Sequence, residues 1–193
     1  MQVGLIERLN VLWRPIYPYL AEWVCRLYEK EQGWMLELGP FSGGISDAVL
    51  DRLEGMKTMC VTPEKAVITG IRVQFREGIN CVAGAMDRLP FPDGSFDMVI
   101  SRGAFFFLTP EILQDVYRVL RSGALALLGG GYGPLTPEGE IRKIARESKE
   151  LNYRLGKKWI GREKLEELIS DSGIGTGWEI IEEGGLWLLL RRN

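Results

Sequence analysis

The sequence predicts an α/β protein built on a mixed, seven-stranded sheet with helices on both faces and an antiparallel last strand. Short apolar runs alternate with helical patterns as far as about residue 128, as expected for parallel βαβ units with right-handed crossovers. The first run, Met35 to Leu38, ends at a glycine and leads through further glycines into a helix. The last two runs flank a Gly-Gly pair, which is typical of a hairpin at a sheet edge. Together these observations indicate a Rossmann-like architecture.

Each strand is a short apolar run, and each helix is an amphipathic stretch between two such runs. The expected strands are 35–38, 57–61, 80–83, 96–101, 124–128, 178–182 and 186–191. The expected helices after the first strand are 45–53, 62–75, 109–120, 136–155 and 161–171. Three of these helices begin with Thr-Pro-Glu, at Thr62, Thr109 and Thr136, a pattern typical of a helix start with proline in the first turn. The pair Ser122-Gly123 is expected to end the helix that starts at Thr109.

Composition excludes several classes of protein. A net charge of -2 is unlike the basic balance of a nucleic-acid-binding protein, and no apolar run approaches the roughly 20 residues that span a bilayer. The three cysteines are scattered, so neither a disulfide framework nor a metal site is predicted. No secretory signal pattern is present at the start, and a cytoplasmic location is expected. The chain contains no histidine, which removes the commonest general base.

The glycines after the first strand predict a ligand site at the carboxyl end of that strand. Gly39 allows a sharp turn, and Gly43 and Gly44 let the backbone approach a ligand closely. A dinucleotide fingerprint needs G-x-G-x-x-G, whereas Phe41 stands two residues after Gly39. A nicotinamide oxidoreductase is therefore disfavoured. Glu37, inside the strand, is a carboxylate that needs hydrogen-bond partners when buried, and the loop N–H groups can supply them.

Five stretches of the chain together resemble the class I S-adenosylmethionine-dependent methyltransferases, over nearly the whole length from about Tyr17 onward. They occur in the order that this family expects. They are the strand end and glycine loop 35–43, the loop after the third strand 83–97, the end of the fourth strand 101–103, the helix-to-strand passage 117–124 and the late helix 162–168. The resemblance implies S-adenosylmethionine as cofactor and methyl transfer as activity.

The resemblance implies a single methyltransferase domain over residues 1–193, in three parts. Residues 1–31 form an N-terminal segment of one or two helices, broken near Pro15 and Pro18. Residues 32–135 form the cofactor-binding core. Residues 136–193 supply substrate-side helices and the C-terminal hairpin.

The resemblance also implies a set of cofactor-binding residues at the carboxyl edge of the sheet and in the segment before it. They are Tyr17, Glu37, Gly39, Pro40, Phe41, Ser42, Gly43, Cys60, Val61, Thr62, Ala85, Met86 and Ser101. Glu37 would orient the amino group of the cofactor; the alternative is that it caps its own loop. Tyr17 would close the methionyl side; the alternative is that it packs the N-terminal helix onto the sheet. Phe41 replaces the middle glycine of the family's first motif.

Two acids of the family pattern are missing. Cys60 stands where an acid normally grips both ribose hydroxyls, and a thiol cannot accept two strong hydrogen bonds. Ribose contacts would then come from Thr62, Glu64 or the backbone. Ala85 stands where an acid normally lies near the adenine amino group. Asp87 follows two residues later; it either replaces that acid or serves its own loop.

Residues after the fourth and fifth strands are predicted to face the methyl acceptor, an unidentified small molecule. Arg102 and the aromatic triple Phe105–Phe107 follow the fourth strand, and Tyr132 follows the glycines of the fifth. Arg102, Phe105 and Tyr132 are the predicted substrate-binding residues; the alternative for the triple is core packing. A dehydrated apolar pocket favours methyl transfer from a sulfonium, whose charge disappears in the transition state. No catalytic residue emerges, so proximity and alignment would carry the reaction.

A second hypothesis is a methyltransferase-fold protein that has lost catalysis and serves as a binding or partner subunit. The replaced acids at Cys60 and Ala85 and the absent histidine motivate it. The expected partner is a small-molecule substrate, and a homodimer is compatible with the sequence. Neither nucleic acid nor a membrane is expected as a partner.

Overall fold

A seven-stranded sheet runs through the centre of the computed structural model, which describes residues 3–193. The strands are β1 Gln32–Leu38, β2 Gly55–Thr62, β3 Asn80–Ala83, β4 Phe96–Arg102, β5 Leu120–Gly131, β6 Trp178–Ile181 and β7 Gly185–Arg192. Their order across the sheet is β3-β2-β1-β4-β5-β7-β6. Strands β1 to β5 pair in parallel, and β7 runs antiparallel to both β5 and β6. The predicted mixed sheet with an antiparallel last strand is confirmed.

Helices cover both faces of this sheet. They are α1 Val3–Leu12, α2 Tyr17–Tyr28, α3 Gly44–Leu50, α4 Lys65–Gln74, α5 Pro110–Val119, α6 Glu138–Arg154 and α7 Arg162–Asp171, and a short 3₁₀ helix, Ala104–Phe106, follows β4. Buried side chains of α1 to α4 and of α6 belong to one core cluster, and those of α5 and α7 belong to another. None of the helices in residues 3–193 has the length and apolar content needed to span a bilayer.

Helix α5 shows how the apolar pattern selects a buried face. Ile112, Leu113, Val116 and Val119 recur at helical spacing, and all four are buried. Full burial of such a side chain contributes about 1.5–3 kcal/mol. The hydroxyl of Thr109 accepts a hydrogen bond from the Ile112 N–H at 3.3 Å, so the predicted threonine cap of this helix is confirmed. A cap of this kind contributes about 1 kcal/mol.

The other two Thr-Pro-Glu sequences do not cap their helices through threonine. Thr62 is the last residue of β2, and Glu64 occupies the N-cap position of α4, so Pro63 lies outside that helix. Thr136 donates its hydroxyl hydrogen to the carbonyl of Tyr132, at the turn that follows β5. The prediction is wrong at these two sites. Thr62 belongs to β2 and the Thr136 hydroxyl bonds to the turn after β5, so neither lies at the N-cap of its helix.

Two further boundaries differ from the prediction. Helix α5 ends at Val119, and Ser122-Gly123 lies inside β5, whose register with β4 is irregular near its start. Between α1 and α2 the chain breaks at Pro15, whereas Pro18 lies within the first turn of α2. Proline is tolerated there because the first N–H groups of a helix have no partner within the helix.

The loop after β3 is anchored by Arg118 from α5. Its guanidinium donates to Asp115 at 2.7 Å and to Asp93 at 2.8 Å. It also donates to the carbonyls of Phe91 at 2.8 Å and Leu89 at 3.2 Å. Several charge-assisted bonds from one group hold the second half of this loop beside the starts of β4 and β5.

Helix α6 lies beside α1 because of a buried polar contact. The indole N–H of Trp13 donates to the hydroxyl of Ser148 at 2.9 Å, and the side-chain amide of Asn152 donates to the Ser148 carbonyl at 2.8 Å. An exposed pair joins Arg8 to Glu147 at 2.8 Å. These contacts bring α6 to the end of the sheet where β5 finishes.

Candidate functional site

Glu37 lies at the carboxyl end of β1, fully buried beneath the loop that leads into α3. Its Oε2 accepts hydrogen bonds from the backbone N–H groups of Gly43 at 2.9 Å and Ser46 at 2.8 Å. Its Oε1 is buried and has no hydrogen-bond partner in residues 3–193. Burial raises the pKa of Glu37, and the hydrogen bonds from Ser46 and Gly43 oppose that rise. Glu37 therefore caps its own loop with one oxygen and leaves the other unpaired.

Gly39 and Gly43 both adopt backbone conformations that favour glycine, with φ of +98° and +107°. A Cβ at Gly39 would lie 2.7 Å from the ring of Phe107, and a Cβ at Gly43 would lie 2.5 Å from the ring of Phe75. In this structure the space that the two glycines leave is filled by aromatic rings. Close approach of a cofactor to the same glycines stays a prediction.

Pro40, Phe41 and Ser42 form the buried turn between these two glycines. Ser42 donates its hydroxyl hydrogen to the Gly39 carbonyl at 2.8 Å, which stabilises the turn. The ring of Phe41 packs against that of Phe106, with centroids 5.0 Å apart. The turn is therefore held by its own side chains.

Arg102, at the end of β4, is the most buried cation at this edge of the sheet, with 4% of its surface exposed. It donates to Asn10 at 2.7 Å and to the hydroxyl of Tyr17 at 3.1 Å. The guanidinium carbon lies 4.6 Å from the Trp13 ring centroid and 5.1 Å from that of Phe41. Its Nε has no hydrogen-bond partner, and no carboxylate in residues 3–193 forms an ion pair with it. A buried cation without a direct ion pair thus lies beside the glycine loop, close enough to Glu37 for its charge to oppose the rise in that carboxyl's pKa.

Tyr17 packs the start of α2 against this loop. Its ring lies directly over Gly44, and burial raises the pKa of its hydroxyl to about 12. The hydroxyl donates to Asn10 at 3.3 Å. Packing of the N-terminal helices onto the sheet is visible here, while contact between Tyr17 and the cofactor stays a prediction.

Cys60 is fully buried at the position expected for the ribose-binding acid. Its Sγ lies 3.8 Å from the hydroxyl of Ser46, on the side of the sheet covered by α3. Its pKa is raised well above the usual value, by a hydrogen bond with Cys81 and by burial. The thiol is therefore engaged inside the fold.

Of the remaining residues predicted on β2 and after β3, Val61 and Thr62 make backbone hydrogen bonds, and Ala85 lies at the surface. The carbonyl of Val61 accepts a hydrogen bond from the Gly39 N–H at 2.8 Å, and the carbonyl of Thr62 accepts one from Gly84 at 3.1 Å. Ala85 is exposed. The sulfur of Met86 would lie 3.9 Å from a Cβ at Gly39, so Met86 borders the glycine loop.

Side chains after β4 take three different directions. Ser101 donates its hydroxyl hydrogen to the Leu38 carbonyl at 3.0 Å and so joins the ends of β4 and β1. Phe106 packs on Phe41, and Phe107 covers Gly39. Only Phe105 of the aromatic triple faces a cleft on the side of β5. The three aromatic residues are therefore divided: Phe106 and Phe107 contact the glycine loop, and Phe105 faces the cleft.

This cleft, of about 400 Å³, lies between α6 and the carboxyl end of β5. Its walls include Trp13, Phe105, Tyr132 and Trp159, and Lys157 lies among them. Trp13 and Tyr132 stack with centroids 4.9 Å apart. Two predicted substrate residues, Phe105 and Tyr132, meet here, whereas Arg102, the third, contacts the glycine loop on the other side of Trp13.

Several residues of the site carried no signal in the sequence. Asn10 lies in α1 and Trp13 directly after it, far from any motif, and Lys157 stands in a charged stretch that resembles a solvated surface. Burial and the nearby Arg102 lower the pKa of Lys157 to about 8. Across residues 3–193, no cluster of three or more cysteine, aspartate or glutamate side chains is arranged to hold a metal ion.

Residues 36–128 match the family model for a methyltransferase domain. No curated protein sequence matches this chain significantly. The matched segment runs from β1 to the buried part of β5, and it includes the glycine loop and both strands that flank it.

The whole fold is similar to solved structures of low sequence identity. A Methanococcus maripaludis protein assigned as an S-adenosylmethionine-dependent methyltransferase has a TM-score of 0.81 and 23% identity, over 99% of this chain and 92% of that chain. An S-adenosylmethionine-dependent methyltransferase from Aquifex aeolicus has a TM-score of 0.66 and 15% identity, over 98% and 97%. A complex of the Haloferax volcanii Trm112 methyltransferase activator with an assigned methyltransferase has a TM-score of 0.69 and 16% identity, over 96% of this chain and 94% of that chain.

The domain match covers the glycine loop with its flanking strands, and the shared fold covers nearly the whole chain. Residues 36–128 of this chain are thus similar to the methyltransferase domain family, and the whole chain has the fold of solved S-adenosylmethionine-dependent methyltransferases.

Proposed function

We propose that this protein transfers a methyl group from S-adenosylmethionine to a small molecule bound in the cleft beside Phe105 and Tyr132. The observation that carries the proposal is the position of this cleft. It adjoins the end of β4, and the glycine loop adjoins the same strand end from the other side. A cofactor on the loop and an acceptor in the cleft would therefore meet above Ser101 and Arg102.

The unpaired polar atoms of the site fit the charged end of the cofactor. That end carries an ammonium and a carboxylate. The unpartnered Oε1 of Glu37 is an acceptor suited to the ammonium, and the unpartnered Nε–H of Arg102 is a donor suited to the carboxylate. A buried polar group without a partner costs about 1–3 kcal/mol, so binding would offset both costs. Tyr17, whose hydroxyl contacts Arg102, would close this end.

The rest of the cofactor would extend over Gly39 toward Met86. Phe107 now covers that glycine, and we expect its half-buried ring to move when the cofactor binds. The backbone of Thr62 and of its neighbours would supply ribose contacts, because the Cys60 thiol is engaged with Ser46 and Cys81.

The chain's own contribution to the reaction is alignment and exclusion of water. When bound, the cofactor supplies an electrophilic methyl group on a sulfonium. Trp13 and Phe105 shield the region above β4 from solvent, which favours a reaction that removes charge. Glu37 and Arg102 would hold the methionyl end in a fixed orientation. No side chain is assigned as a general base.

Calorimetry with S-adenosylhomocysteine tests the assignment of Arg102. Arg102→Met should weaken binding roughly 10- to 100-fold, the effect of losing one charge-assisted hydrogen bond. Arg146→Met changes an exposed arginine on α6 and should leave the affinity unchanged. Wild-type affinity in Arg102→Met would refute the placement of the methionyl carboxylate.

Fractionated cell extract tests the class of acceptor. We expect S-adenosylhomocysteine to form from S-adenosylmethionine only with the low-molecular-mass fraction. Formation with the protein or nucleic-acid fraction alone would overturn the proposal of a small-molecule acceptor.

A second candidate function is a binding or partner subunit without catalysis. Two observations favour it: Cys60 faces into the fold, and Phe107 covers Gly39. The Haloferax volcanii neighbour was solved in complex with a methyltransferase activator, so a partner protein is a reasonable addition to the assay. Cofactor binding without turnover in any fraction, with and without such a partner, would favour this candidate.

A further inference from the structure

Positive charge at the cleft has no acidic counterpart among the residues that line it. The side chains that line the cleft include Lys149 and Lys157 and no aspartate or glutamate. Behind Trp13, one ring away, lies the guanidinium of Arg102, whose charge also acts on Lys157. Desolvated cations without a partner are unfavourable, and proteins normally neutralise them. The missing negative charge is therefore a property to expect of the ligand.

Lys157 is the cation best placed to meet that ligand. Its Nζ lies 4.4 Å from the ring centroid of Trp159. It also approaches the backbone of Gly130 so closely that a Cβ there would lie 3.4 Å from Nζ. Burial, followed by the field of Arg102, lowers its pKa to about 8. The ammonium is thus held inside the cleft, away from full hydration and from every carboxylate of the described residues.

The walls around Lys157 suit a flat apolar body. Trp13 and Tyr132 stack nearly parallel, with an interplanar angle of 8°. Phe105 closes the inner end, and Trp159 stands at the rim with 74% of its surface exposed. An indole this exposed gains by being covered, since each Å² of apolar surface removed from water contributes about 25 cal/mol.

We propose that the cleft selects a methyl acceptor that carries an anionic group, a carboxylate or a phosphate, on a flat apolar body. This inference rests on the proposed function, because it takes the cleft to be the acceptor site. The anion would pair with the ammonium of Lys157, and the body would lie against Phe105, Tyr132 and Trp159. A charge-assisted hydrogen bond is roughly twice as strong as a neutral one, so the anion would contribute both affinity and orientation.

A carboxylate at Lys157 has a second conceivable source, the methionyl end of the cofactor. Both would place a carboxylate beside Lys157, but they predict different effects of removing the lysine. If Lys157 serves the acceptor, its loss changes binding of an anionic aromatic molecule and leaves S-adenosylhomocysteine affinity unchanged. If it serves the cofactor, S-adenosylhomocysteine affinity falls instead.

Calorimetry on the full chain tests the inference with three probes of one shape: 2-naphthoate, 2-naphthyl phosphate and the neutral 2-naphthamide. We expect at least one anion to bind roughly tenfold or more tightly than the amide. Lys157→Met should abolish this preference and leave the amide affinity unchanged, and Lys157→Arg should retain it. Lys158→Met, in the exposed neighbour, is the matched control and should behave as wild type.

Several results would overturn the inference. They are equal affinity for the amide and both anions, no binding of any anion at millimolar concentration, or an unchanged preference in Lys157→Met. A loss of S-adenosylhomocysteine affinity in Lys157→Met would reassign the ammonium to the cofactor. The proposed function fails separately: wild-type protein that binds naphthoate but not S-adenosylhomocysteine would support the anion site and refute methyl transfer. Circular dichroism of each variant verifies that it is folded.

Discussion

The glycine loop and the cleft lie on either side of the end of β4, and they differ in how they satisfy their polar groups. In the loop, Glu37 accepts from Gly43 and Ser46, Ser42 donates to Gly39, and aromatic rings fill the glycine spaces. In the cleft, Lys157 has no anionic partner, and Trp159 is exposed. Apart from the Oε1 of Glu37, the buried polar side-chain atoms of the loop have partners without a ligand. The cleft lacks a negative charge for Lys157 and an apolar surface to cover Trp159.

The two regions therefore affect the stability of the fold in different ways. Loop residues contribute to stability, because their hydrogen bonds hold β1 to α3. The ammonium of Lys157 costs stability, because it is held out of water without compensation. Substitutions on the two sides are therefore expected to change the free energy of unfolding in opposite directions.

The largest effect is expected for Glu37→Ala. It leaves the N–H groups of Gly43 and Ser46 buried without an acceptor, and each such loss costs about 1–3 kcal/mol. We expect the free energy of unfolding in urea to fall by about 2–6 kcal/mol, the sum of the two losses. Glu37→Gln, which keeps an acceptor oxygen, should recover part of this loss. Exposed Glu150→Ala should stay within about 0.5 kcal/mol of wild type, and the same small effect for Glu37→Ala would contradict the capping role.

A smaller effect is expected for Gly39→Ala, and Gly78 provides a matched comparison. Their φ angles are +98° and +103°, so alanine costs about 1–2 kcal/mol of backbone strain at either position. Only at Gly39 does the new Cβ meet a side chain, 2.7 Å from the Phe107 ring; at Gly78 nothing lies within 4 Å. We expect Gly39→Ala to be about 1–3 kcal/mol less stable than Gly78→Ala in urea.

Adding Phe107→Ala separates the steric part of this effect from the strain. In the Gly39→Ala background it should restore stability toward that of Gly78→Ala. Equal losses for the two glycine variants, or no recovery in the double variant, would show that Phe107 does not press on Gly39.

The smallest effect is a pH-dependent one at Lys157. Its folded pKa of about 8 lies below the usual 10.5, so between these values the unfolded chain binds more protons than the folded chain. The contribution of Lys157 to the free energy of unfolding therefore rises with pH between about 8 and 10.5. Below about pH 8 the buried ammonium exerts its full destabilising effect. We expect Lys157→Met to melt at a higher temperature than wild type near pH 7, with the difference shrinking above about pH 8.

The charged groups that face Lys157 are Arg102 and Lys149, both cationic. Lys158→Met should show a melting difference that does not change with pH. A melting difference for Lys157→Met that stays constant from about pH 7 to pH 9.5 would show that Lys157 keeps its ordinary pKa.

Local patterns predicted the sheet well and the helix starts less well. The apolar runs and the glycine after Leu38 identified β1 to β5, because burial of a parallel strand on both faces demands continuous apolar residues. The Thr-Pro-Glu sequences look alike, yet only Thr109 caps a helix. Thr62 and Thr136 differ because hydrogen bonds to β2 and to the turn after β5 compete for the same backbone.

The candidate site was less accessible to sequence reasoning than the fold. Glu37 was identified from its place before the glycines, since a carboxylate in a buried strand must find partners. The directions of Phe105, Phe106 and Phe107 were not, because three consecutive aromatic residues after a strand are compatible with several packings. Lys157 carried no signal, since a lysine in a polar stretch is normally solvated.

The sequence by itself determined the α/β class, the place of the glycine loop and the presence of a carboxylate beneath it. These features follow from periodicity, glycine conformation and the cost of burying charge, all of which act over a few residues. Only the tertiary structure decided that Arg102 turns toward Asn10 and Tyr17 and that Lys157 points into an aromatic cleft. Those directions depend on residues far apart in the chain, because α1, α2 and α6 must pack on the sheet before either cation acquires its surroundings.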